Sequence, residues 1–65
     1  MRVGRVTAFD GFVGLGEITD PTGQTWPFHC VEIADGSRTI EVGTDVGFEP
    51  LAKFGRFEAS RITPR

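Results

Sequence analysis

F-D-G-F-V-G-L-G-E-I, residues Phe9 to Ile18, places two glycines, Gly14 and Gly16, inside an otherwise strand-like run. Glycine forms strands poorly, so in a strand it marks a bulge, a sharp bend or a close approach of backbone. Side chains alternate along a strand. Val13, Leu15 and Glu17 therefore project one way, and Gly14, Gly16 and Ile18 the other. The glycine side can bend tightly over a core, as a small barrel requires. The opposite side presents valine, leucine and glutamate.

Outward from this stretch the chain punctuates itself at short intervals. Arg2 to Asp10 reads as a first strand, ending in the turn pair Asp10-Gly11. Gly14 to Asp20 is the second, closed by D-P-T-G at Asp20 to Gly23, where Pro21 presets a turn dihedral. In the third, Gln24 to Cys30, alternation groups Trp26, Phe28 and Cys30 against Thr25, Pro27 and His29. Pro27 has no amide hydrogen to donate, so its position faces an edge or a bulge. Val31 to Ala34 fits a single helical turn, and Asp35-Gly36-Ser37 a loop. Ile40, Val42, Val46 and Phe48 are apolar anchors around the Gly43-Thr44-Asp45 turn, with a fourth strand near Asp45 to Ala52. Arg56 to Thr63, after Gly55, is the fifth, anchored by Phe57, Ala59 and Ile62. Five short strands at this spacing predict an all-β, small antiparallel barrel. Val6, Ile18, Trp26, Phe28, Ile33, Val46, Phe48 and Ile62 are its expected core.

Composition narrows the function. Sixty-five residues, 1–65, are expected to form one domain with no room for a buried catalytic cleft. Cys30 is the only cysteine, which excludes an intrachain disulfide and points to a reducing cytoplasm. No apolar run reaches membrane-spanning length and no signal peptide is evident. The net charge of −2 is unusual for a protein that binds nucleic acid chiefly through phosphates. Gly11 to Gly16 has the glycine spacing of a dinucleotide fingerprint reversed, and no helix follows it. Without a nucleophile–histidine pair, a carboxylate pair or a second cysteine or histidine beside His29 and Cys30, neither catalysis nor a metal or other cofactor is expected. No small-molecule substrate is evident.

The ordered set Gly4, Val6, Phe9, Asp10, Gly14, Gly16, Ile18, Phe28, His29, Ile33, Gly36, Ile40, Gly43, Val46, Phe48, Ala59 and Ile62 resembles the cold-shock domain along essentially the whole chain. The resemblance implies a five-stranded antiparallel OB-fold barrel of cold-shock type, with a platform on strands 2 and 3 for single-stranded RNA or DNA. In that family aromatic side chains stack bases and lysines track phosphates. Here the first-strand lysine and tryptophan are replaced by Thr7 and Ala8. The family's K-G-F-G-F-I is Val13-Gly14-Leu15-Gly16-Glu17-Ile18, and its V-F-V-H-F is Trp26-Pro27-Phe28-His29-Cys30. Outward phenylalanines are thus lost at Leu15, Glu17, Pro27 and Cys30, and the loop aromatic falls near Ser37. Of the platform only His29 remains.

Each stacked base contributes about 1–3 kcal/mol, so losing several weakens binding by on the order of a thousandfold or more. Glu17 adds repulsion toward phosphate. The expected function is weak single-strand binding on an altered face, with Phe9, Phe12, Leu15, His29, Arg38, Lys53 and Arg56 as candidate contacts. Arg61 and Arg65 are better read as solvated surface. Phe12, Phe54 and Phe57 lack core parity and could form an apolar patch. The alternative is a protein-interaction module that kept the barrel and gave up nucleic acid, with Leu15, Pro27, Cys30 and Phe12 as a mild apolar face for an unidentified protein partner.

Overall fold

A computed structural model describes residues 1–65. Its strands are β1 (Arg2–Asp10), β2 (Leu15–Thr19), β3 (Thr25–His29), β4 (Asp45–Lys53) and β5 (Arg56–Pro64), with one 3-10 turn at Cys30–Glu32. They form a single sheet in the order β3-β2-β1-β4-β5, and every ladder is antiparallel. The segment that follows the 3-10 turn joins β5 through a parallel bridge between Ile33 and Ile62 and the bond from Ala34 N to Ile62 O, 2.8 Å, which draws the outer strands β3 and β5 toward each other. The hydrogen-bonded ladder does not close between them.

Local chemistry explains the strand ends. Asp20 Oδ1 accepts from Thr22 N (2.9 Å), Thr22 Oγ1 (2.6 Å) and Gln24 N (3.0 Å), which tightens the β2–β3 turn. Its Oδ2 accepts from the buried Trp26 Nε1 at 3.0 Å, so one carboxylate ties the turn to the core. The Thr22 hydroxyl first, and then Trp26, hold this carboxyl at about 2, well below the usual carboxylate range. β2 begins at Leu15 rather than Gly14. Gly14 has φ +81°, turns out of the strand, and receives its bond from Cys30 N to Gly14 O at 2.8 Å. Gly16 serves the close approach expected of it, because a Cβ there would collide with the Phe28 ring and lie 2.9 Å from Ala8 O. β3 stops at His29 because Cys30 opens the 3-10 turn, one residue ahead of the helical turn expected at Val31 to Ala34.

The core comprises Val6, Ile18, Trp26, Phe28, Ile33, Val46, Phe48, Ala59 and Ile62, which includes all eight residues expected there. Burying each large apolar side chain stabilises by about 1.5–3 kcal/mol. Of the connection before β4, Ile40 packs on this cluster, whereas Val42 is exposed and anchors nothing. Two register shifts set which side chains join the core. In β1 the extra residue is Thr7, between Val6 and Ala8; in β5 it is Arg61, at φ 50°, opposite Phe48.

Candidate nucleic-acid interface

Residues paired across adjacent strands share a face of the sheet. One row of the outward face is Ala8, Glu17 and Pro27; the next is Asp10, Leu15 and His29. The row between them, Phe9, Gly16 and Phe28, faces the core. Phe9 is accordingly half-buried, its ring parallel to that of Phe28 with centroids 6.0 Å apart. It is not available on the outward face, because the bulge at Thr7 reverses the alternation that follows it. Cys30 is a second correction. It is half-buried against the core, as its grouping with Trp26 and Phe28 implied, and does not occupy an outward aromatic position.

His29 is the centre of what remains. Its side chain is exposed, and Nδ1 donates to Glu58 Oε1 at 3.1 Å. The acceptor-only carboxylate sets the tautomer, leaving Nε2 without a protein partner. Glu58 is 5% exposed and also forms an ion pair with Lys53 Nζ at 3.7 Å. The cluster joins β3 to β5, and Lys53 pairs directly with Arg56 across the β4–β5 turn. Arg56 is exposed and has no ion-pair partner in the fold. Leu15, His29, Lys53 and Arg56 are therefore brought to one region. Phe12 stands at its margin, in the turn that precedes Leu15. Arg38 is exposed on the separate connection between the 3-10 turn and β4, at φ 60°, and nothing ties it to this group.

Glu58 is the member of this cluster that pattern reading misses. It lies between Phe57, expected as an anchor but more than half exposed, and the buried Ala59, and only the approach of β5 to β3 reveals its contact with His29. Of the three phenylalanines without core parity, Phe57 lays its ring edge-on to Trp26 at 6.4 Å, while Phe12 and Phe54 are wholly uncovered.

The largest depression lies elsewhere, beside Val3, Arg5, Thr19, Asp20, Asp45 and Arg65. Its Arg5 Nε donates to Asp45 Oδ1 at 2.9 Å, so that charge is satisfied internally. A shallower depression between Ala8, Asp10, Leu15 and Glu17 is on the outward face, and its two carboxylates make it a poor seat for phosphate. No helix is long and apolar enough to cross a membrane. No family model and no curated protein matches the chain.

Proposed function

We propose that this chain is a divergent OB barrel of cold-shock type that binds single-stranded RNA or DNA weakly in the cytoplasm, without catalysing a reaction. The observation that carries this is the cluster on the β3 and β5 margin. His29 presents a free Nε2 next to Leu15, and Lys53 and the unpaired Arg56 stand where a phosphate chain passing His29 would meet them. The contact of His29 on β3 with Glu58 on β5, and the bridge from Ile33, beyond β3, to Ile62, support the barrel.

Charge sets the scale. Two cations neutralising two phosphates give a salt slope near −1.4 for a single strand, so raising salt tenfold weakens binding about 25-fold. The test is a titration of a mixed-sequence, fluorescein-labelled single-strand pool at low and at tenfold higher salt. Weak binding with that slope supports the reading. Absence of binding at low salt, or a slope of −4 or steeper, overturns it.

A protein-interaction module is the second reading. The outward row of Ala8, Glu17 and Pro27, with half-exposed Leu15 beside it, favours it, because Glu17 repels phosphate while the apolar neighbours suit a protein surface. In that case the same titration shows no single-strand binding.

A further inference from the structure

Phe12 and Phe54 are fully exposed, at 101% and 104% of the reference area, so no atom of the fold covers either ring. Phe54 is also held in an unfavourable backbone. With Gly55 it forms the two-residue turn between the paired Lys53 and Arg56, and both central residues have positive φ, 48° and 83°. Such turns are built from Asn, Asp or Gly, and a bulky aromatic at positive φ is an outlier. The chain therefore keeps a strained phenylalanine that contributes no packing, a pattern found where the residue acts on a ligand. Phe12 is not strained but is well held. Asp10 Oδ1 accepts from Phe12 N at 3.0 Å and from Val13 N at 3.3 Å, and Asp10 O accepts from Gly14 N at 2.8 Å.

We infer that Phe12 and Phe54 are two base-stacking subsites at opposite ends of the outward face, placed on turns instead of on the sheet. This rests on the single-strand reading above and adds the non-ionic part of the affinity. The topology places the rings as required. The β1–β2 turn carrying Phe12 lies where β3 ends, and the β4–β5 turn carrying Phe54 lies where β5, parallel to β3, begins. Leu15, His29, Glu58 and Lys53 lie between them, linked by pairing and side-chain contact. From strand rise alone the rings are on the order of 20 Å apart. A strand must span several nucleotides to reach both, in keeping with site sizes of about 4–16 nucleotides for such barrels.

The surroundings select nucleic acid over a protein partner. The rings are separated by charged and polar groups and do not form one apolar patch. Phe54 is bracketed by Lys53 and Arg56, and Arg56 has no carboxylate partner. A base on Phe54 thus brings its phosphates to the unpaired Arg56, with Lys53, whose partner is Glu58, beside it.

The experiment compares wild type, Phe12→Ser, Phe54→Asn and the conservative pair Phe12→Trp and Phe54→Tyr. Each is titrated with labelled mixed-sequence trinucleotides and octanucleotides, and melting is recorded for each. Asparagine suits positive φ, so Phe54→Asn keeps the fold. Each ring-deleting variant should lose about 5- to 100-fold in octanucleotide affinity with an unchanged salt slope. The trinucleotide, too short to span both rings, should lose less. The conservative variants should retain binding, with the new indole of Phe12→Trp quenched by the octanucleotide. Wild-type binding that Phe12→Ser and Phe54→Asn leave within twofold overturns the stacking subsites alone. No single-strand binding by wild type overturns the function as well. Wild-type self-association in sedimentation, lost in both ring-deleting variants and without any single-strand binding, replaces the occupant with a second copy of this chain.

Discussion

Replacing Phe54 by asparagine should raise the thermal stability of this protein, although it deletes an entire aromatic ring. The ring is uncovered in the folded state, so its removal forfeits no buried area. What changes is the backbone at φ 48°. An ordinary L-residue in the left-handed region costs roughly 1–2 kcal/mol, and asparagine relieves much of that by bonding locally. About 1 kcal/mol is therefore expected, and for a chain of this length that corresponds to a melting temperature about 4–8 °C higher. Phe12→Ser is the internal control. It removes the same ring at the same exposure, but Phe12 does not have positive φ, so its melting temperature should move by no more than about 0.5 kcal/mol allows. Thermal melts followed by far-ultraviolet circular dichroism resolve the difference. Equal shifts for the two variants, or a lower melting temperature for Phe54→Asn, would show that the turn is not strained. The functional case for Phe54 would then lose its main physical support.

Asp20 should make stability fall in acid. Its carboxyl is held at about 2 in the fold against 3.8 unfolded, so its contribution is present above the unfolded value and is lost as pH falls from about 4 to 2. Urea midpoints between pH 2 and 5 should show that loss in wild type and a flatter profile in Asp20→Asn. Gly16→Ala should destabilise by about 1–3 kcal/mol, since its methyl meets the Phe28 ring and Ala8 O; a melting temperature equal to wild type would mean that Phe28 moves freely. Restoring rings on the outward face with Leu15→Phe, Glu17→Phe and Pro27→Phe should raise octanucleotide affinity at least tenfold by stacking and by removing the Glu17 charge. A folded triple variant with wild-type affinity would place the bound strand off this face. Cys30→Phe is left out of that set because Cys30 is half-buried on the core and a larger ring there overpacks.

Strand and turn positions were legible because their causes are local. Asp20-Pro21-Thr22-Gly23 makes a turn from its own side chain and ring, and Trp26 and Phe28 share a face wherever β3 lies. The resemblance placed His29 outward, and the registers agree. What needed the tertiary structure depends on parity changes and on long-range approach. Counting by twos from buried Val6 sends Phe9 outward, but the extra residue at Thr7 sends Ala8 outward and Phe9 onto Phe28. Likewise Arg61 lets Ile62 reach the core in place of its neighbour. Glu58 meets His29 across a separation of 29 residues, a contact no periodicity encodes, because it exists only where the sheet curls β5 toward β3. Phe54 could be read from sequence as an unplaced aromatic beside a glycine. Its strain became visible only once Lys53 and Arg56 were paired, since pairing leaves two residues to reverse the chain and the turn they adopt has both at positive φ.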